Sequence, residues 1–154
     1  MNAQNMALLS FAVEPPDPPN DGILFVDHSK TGRSGHLGHA LVEYADGRLL
    51  AFYPNCSDDS EGHSGVGWME CKRSEDAGET WSEPRPLEHS KRVYDESDAD
   101  RTALCEKAVR TADGDIVLFY LNIDNSENPR WKPQFVPTFS RSSDGGRTWS
   151  PVRP

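Results

Sequence analysis

The sequence predicts an all-β protein made of about two four-stranded antiparallel units, the form of an incomplete β-propeller. Three observations predict it. Apolar residues make up only 35% of the 154 residues, while Gly and Pro number twelve each, a mixture that suits short strands and many turns better than packed helices. "ADGRLLAFY" at Ala45 to Tyr53 lies over "ADGDIVLFY" at Ala112 to Tyr120, an offset of 67. "RSEDAGETW" and "RSSDGGRTW" share the pattern S-x-D-x-G-x-T-W, Ser74 to Trp81 and Ser142 to Trp149, at an offset of 68. Two elements recurring in one order at nearly one spacing mark a duplicated unit.

Each unit opens with a hairpin. "HALVEY" and "RLLAFY" are apolar, β-prone runs joined through Asp46-Gly47, residues that tolerate positive φ, and "EKAVRTADGDIVLFY" repeats the arrangement around Asp113-Gly114. "VGWMECKRS" and "QFVPTFSRS" then read as third strands. "SEPRPLEHSKRV" follows the first Asp phrase as an expected fourth strand, whereas only "SPVRP" follows the second. "GILFVDHS", ahead of the first unit, is an expected extra strand that would complete the last blade of a closed ring. The resulting division is a flexible segment over 1–20 and a propeller portion over 21–154, with blades at about 35–93 and 101–154.

The Asp phrases have a physical reason for their residue types. Asp carboxylates and Ser and Thr hydroxyls can hold backbone N–H groups inside a tight turn, glycine takes the conformation closed to other residues, and Trp covers neighbouring strands. Ser74, Asp76, Gly78, Thr80 and Trp81, with Ser142, Asp144, Gly146, Thr148 and Trp149, are therefore expected to be structural rather than catalytic.

These phrases resemble the Asp-box, or BNR repeat, of the sialidase superfamily, and "SSDGGRTWS" is a near-ideal copy. The resemblance covers roughly Gly35 to Pro154 and implies a β-propeller of the sialidase type, with about two of six blades in this chain. It implies that each box is the turn between a blade's third and fourth strands, on the side away from the active site. It also implies an exo-acting glycoside hydrolase on glycans. Members carry an F/Y-R-I-P-x-L phrase whose Arg clamps a substrate carboxylate, then a stretch like LLAFxExR, then a general-acid Asp. Along that track this sequence places Leu37 at the clamp and Pro54 and Cys56 where the family has Glu and Arg. Leucine does not replace a bidentate guanidinium, so the departures argue against strict sialidase activity. The family's tyrosine and glutamate pair and two further clamp arginines belong to later blades. The expectation is an N-terminal portion or truncated product, inactive alone, of a longer protein.

Among the residues themselves, the repeat aligns His39 with Glu106, and both stand at strand heads expected to face the funnel. The candidate catalytic pair is Asp59 and Glu106, since glycoside cleavage needs two carboxyl groups. Arg33, His36, His39 and Asp58 are candidate substrate-binding residues. The plain alternatives are a solvated Arg33 and hydrogen bonds from His39 and Glu106 to loop backbone. Two further functional readings remain open: a non-catalytic propeller module binding glycan or protein, and a polysaccharide lyase-like propeller using a His base.

A net charge of −9 with no basic cluster argues against nucleic acid as a partner, and no apolar run is long enough to cross a bilayer. The acidic stretches "CSDDSEGH" and "YDESDAD" read as solvated loops. No metal or other cofactor is expected, because the histidines of "GHLGH" at strand spacing i, i+3 point to opposite faces. Cys56, Cys71 and Cys105 lack a C-x-x-C spacing and read as buried or idle thiols. Asn55-Cys56-Ser57 fits a glycosylation sequon that matters only on secretion. The N-terminus lacks the marks of a signal peptide, which favours the cytoplasm. Open blade edges and faces favour self-association.

Overall fold

The computed structural model describes residues 25–26, 33–34, 38–57, 66–98, 100–124, 126 and 132–154. Two antiparallel sheets hold nearly all of the regular structure. In the first, β1 (Arg33–Ser34) and β2 (Ala40–Ala45) lie end to end along one side of β3 (Arg48–Ser57), β4 (Gly67–Ser74) pairs on its other side, and the short β5 (Arg85–Pro86) pairs with β4. The second sheet is β6 (Arg101–Arg110), β7 (Ile116–Asp124) and β8 (Lys132–Ser142) in that order. Among the described residues a bridge from Phe139 to Arg153 stands where a fourth strand would lie.

The registers carry the repeat into three dimensions. Phe52 pairs with Cys71 as Phe119 pairs with Phe139, and Arg33 pairs with Ser57 as Arg101 pairs with Asp124. The first hairpin turns through Asp46-Gly47, where Gly47 has φ 64° and its N–H donates to the Glu43 carboxylate at 2.8 Å. Both hairpins and both third strands therefore form as their sequence patterns require.

The segment after the first Asp phrase departs from expectation. Instead of a full fourth strand, Arg85–Pro86 pairs briefly with β4 and the chain then enters helix α1 (Glu88–Glu96). Pro84 and Pro86 lack the N–H groups that a longer ladder needs. The helix is held instead by burial: Leu87 is 4% exposed, and the fully buried Ser90 hydroxyl accepts the Met69 N–H at 2.9 Å and donates to the Ala103 carbonyl at 2.6 Å. One serine thus clips β4 to β6, joining the two sheets. Of "GILFVDHS", Phe25 and Val26 are described and form no strand. Phe25 packs edge-on against Trp81 at 4.8 Å and Tyr53 at 5.5 Å, and the Lys72 ammonium donates to its carbonyl at 2.5 Å.

One core lies between the sheets. Val42, Leu50, Phe52 and Met69 from the first meet Leu104, Ile116, Leu118, Tyr120 and Ile123 from the second. Each side chain of this size stabilises by roughly 1.5–3 kcal/mol when fully removed from water. The turn of the second Asp phrase closes one end of this core: a Cβ on Gly146 would stand 2.5 Å from the Leu50 side chain, and Trp149 meets Phe52 edge-on at 6.1 Å. Gly146 also has φ 81°. Gly146→Ala should therefore lower stability by about 1–3 kcal/mol, combining overpacking with a left-handed backbone, as read from the urea unfolding midpoint.

Candidate functional site

The head of the first unit lies beside its counterpart in the second. A Cβ on Gly38 would be 3.1 Å from the Leu104 side chain and 3.3 Å from the Cys105 carbonyl. Cys105 is the position that corresponds to Gly38 in the repeat, so the next residues, His39 and Glu106, flank one contact. Glu106 is the extra residue where the β6–β7 register shifts between Cys105 and Lys107. Such a bulge redirects a side chain out of the ladder. Both His39 and Glu106 are exposed.

The other candidates are distributed differently. Arg33 is placed by its backbone in β1, opposite Ser57. His36, Asp58, Asp59 and Leu37 lie outside the described residues. Pro54 and Cys56, in the stretch that resembles LLAFxExR, sit in β3 opposite Met69 and Gly67, and both are buried. Burial pushes the Cys71 and Cys105 thiols up to about 12, which leaves them protonated and unreactive near neutrality.

The two turn aspartates are fully engaged. The Asp76 carboxylate accepts the Ser74 hydroxyl at 2.7 Å, the Thr80 N–H at 2.9 Å and the Thr80 hydroxyl at 2.5 Å. Asp144 repeats this with Ser142 at 2.8 Å and with the Thr148 N–H and hydroxyl at 2.9 and 2.6 Å. The Ser74 and Ser142 hydroxyls accept the Gly78 and Gly146 N–H groups, each at 2.8 Å, and the Trp81 indole N–H reaches the Gly78 carbonyl at 3.0 Å. Hydrogen bonds from Thr80 hold Asp76 down at about 2, and those from Thr148 hold Asp144 lower still. A carboxylate so enclosed is a poor proton donor.

Three features escaped the sequence reading. Glu70 on β4 accepts from Tyr53 at 3.0 Å, Asn55 at 2.6 Å and Trp68 at 3.2 Å. Burial, then the Glu70 charge, raise the Tyr53 phenol far above its ordinary value, so this pair is a structural brace rather than a nucleophile. A cleft of about 550 Å³ opens between the units, lined by Arg73, Arg85, Arg147 and Trp149 among others. A smaller cavity of about 150 Å³ is lined by His89, Tyr120 and Ser140. Among the described residues the buried His89 Nε2 has no hydrogen-bond partner, and burial lowers the pKa of the ring. Only the alternation of strand residues hinted at Glu70, and nothing in the primary pattern hinted at the cavities.

No protein-family model and no curated protein sequence matches the chain. Among solved structures, a Hadza microbial sialidase superposes with a TM-score of 0.52 at 22% identity, over 72% of this chain. The fold is sialidase-like. The chain spans only 22% of that sialidase's length.

The turn aspartates fix a pH dependence. Their folded pKa values lie below the unfolded value of about 3.9, so the stability they contribute is complete above that value and is lost as pH falls through the folded pKa. Urea midpoints should fall between about pH 4 and 2, and Asp76→Asn with Asp144→Asn should flatten the fall while lowering stability at neutral pH.

Proposed function

We propose that this chain is the N-terminal part of a sialidase-like Asp-box propeller from an exo-acting glycoside hydrolase, and that His39 and Glu106 border its glycan-facing mouth. The likeness to a solved sialidase supports the reading at the level of fold. The observation that supports the site is the close approach of Gly38 to Leu104 and Cys105, the residues that precede His39 and Glu106 at the junction of two units. In this reading Glu106 supplies one of the two carboxyl groups that glycoside cleavage needs, and Asp59 the other. Arg33, His36, His39 and Asp58 are the substrate-binding residues of this reading. Leucine at position 37 directs the preference to a sugar other than a sialic acid, because a clamp for a carboxylate needs guanidinium geometry.

A second reading, a module that binds glycan or protein without cleaving it, is favoured by the buried Pro54 and Cys56. At those two positions the resemblance leads to Glu and Arg. A lyase would instead use His39 or His36 as the base that removes a sugar ring proton.

Product analysis separates the three. The 154-residue chain and the complete reading frame of its gene are each incubated with a panel of neutral and acidic glycans. Hydrolysis adds water and frees a reducing terminal sugar, elimination leaves an unsaturated sugar that absorbs in the near ultraviolet, and a binding module returns the glycan intact. The expected result is hydrolysis of a non-sialic glycan by the complete frame and none by the 154-residue chain. Glu106→Gln in the complete frame should lower kcat/KM at least about 100-fold, in line with loss of a proton-transferring group. Unchanged kcat/KM in Glu106→Gln would remove Glu106 from the mechanism, and release of the unsaturated sugar would establish the lyase.

A further inference from the structure

The cavity of about 150 Å³ lies between helix α1 of the first unit and the second unit, with Tyr120 and Ser140 on the sheet side and His89 on the helix side. Tyr120 belongs to the core shared with the first unit, on the opposite face of β7 from Phe119. The cavity is therefore part of the junction between the two units. Carried through the repeat, Pro154 answers Pro86, the residue from which the first unit's chain enters α1 toward its neighbour. In a longer propeller the chain beyond Pro154 would accordingly lead away from this junction and leave the cavity as it is.

Its polar groups have a defined direction. The His89 Nδ1 lies 3.4 Å from the Arg92 guanidinium. A guanidinium can only donate, so Nδ1 accepts and the proton of the neutral ring sits on Nε2. Burial, then the Arg92 charge, lower the pKa of this ring and keep it neutral near pH 7. The Nε2–H is buried and meets no acceptor among the described residues. The Tyr120 ring meets His89 at 5.0 Å, and its hydroxyl lies 3.1 Å from that of Ser140, both residues being buried. That pair shares one hydrogen and has one more to give. Two donors thus border a cavity whose other walls include Leu87, Trp149 and Val152.

We propose that this cavity binds a small monocarboxylate with a compact apolar body, whose carboxylate accepts from the His89 Nε2–H and from the Tyr120–Ser140 hydroxyl pair. The Arg92 guanidinium beside the ring supplies the opposite charge. Glu88, exposed at the same opening, disfavours a second negative charge on the ligand. Leu87, Trp149 and Val152 receive the body, and a space of this size admits one six-membered ring but no oligosaccharide. The site is thus separate from the glycan-facing mouth and does not rest on the hydrolase reading. Because the ligand would touch α1 on one side and the second unit on the other, binding ties the two units together and stabilises the folded chain.

The test uses benzoate as the probe and toluene as the control that keeps the ring and lacks the acceptor. Each is titrated by ligand-detected NMR into the 154-residue chain, or into the complete reading frame of its gene if the shorter chain shows no cooperative thermal transition. The expected result is saturable benzoate binding that raises the thermal midpoint and is at least about tenfold tighter than that of toluene, the size of effect that hydrogen bonds to a charged group produce. His89→Phe keeps a ring and removes the donor, and Arg92→Met alters an exposed residue. Each should weaken benzoate at least about tenfold while leaving toluene unchanged. Arg92→Met decides alone if His89→Phe loses its cooperative transition. Val152→Phe fills the cavity and should abolish binding of both probes. The proposal is overturned by an absence of saturable benzoate binding or by toluene binding as tightly as benzoate. Benzoate affinity that is indifferent to the donor variants, or that survives Val152→Phe, overturns it equally.

Discussion

The molecule depends on the fit between a turn of one unit and the sheet of the other. Gly145 and Gly146 bring their backbone against Tyr44 and Leu50 so closely that no side chain could stand between them, and Trp149 closes over Phe52. The Arg73 guanidinium, stacked 4.5 Å above the Tyr44 ring, secures the turn by its carbonyl. This explains the composition of the Asp phrase. Its serine, aspartate and threonine bond one another and the backbone so that the turn is rigid before it packs, and its glycines and tryptophan supply the packing surface.

That division of labour separates structure from chemistry in the chain. The most heavily hydrogen-bonded carboxylates, Asp76 and Asp144, are consumed by the turns, and Glu70 is consumed by Tyr53, Asn55 and Trp68. Glu106, expected at a strand head, lies instead midway along β6, exposed at the register shift between Cys105 and Lys107. A bulge within a strand leaves its extra residue unpaired and re-aims that side chain, at the cost of a local break in the ladder.

Much of the fold was legible because the repeated signals are local. An Asp-Gly pair between apolar runs makes a hairpin whatever lies around it, and the S-x-D-x-G-x-T-W spacing specifies its own hydrogen bonds. Helix α1 was not legible for the opposite reason. "LEHSKRV" has no capping side-chain hydrogen bond, and its helical state rests on Ser90 reaching both Met69 and Ala103, a contact between residues far apart in sequence. The position of Phe25 is equally non-local, since its partners Tyr53 and Trp81 belong to later strands. For the site, the repeat aligns His39 with Glu106, and the backbone of Gly38 packs close to Leu104 and Cys105.

The shared core between the sheets has a consequence for synthesis. When β3 leaves the ribosome, Leu50 and Phe52 have their own hairpin partners but not their cover, which arrives first with β6 and β7 and is completed by Gly146 and Trp149. Throughout that interval the nascent first sheet presents an oily surface with nothing native to rest against, the condition in which emerging polypeptides recruit chaperones or stick to one another. The first unit is therefore a repeat in sequence that shares its core with the second, so one face of its sheet stays exposed until the second has been made.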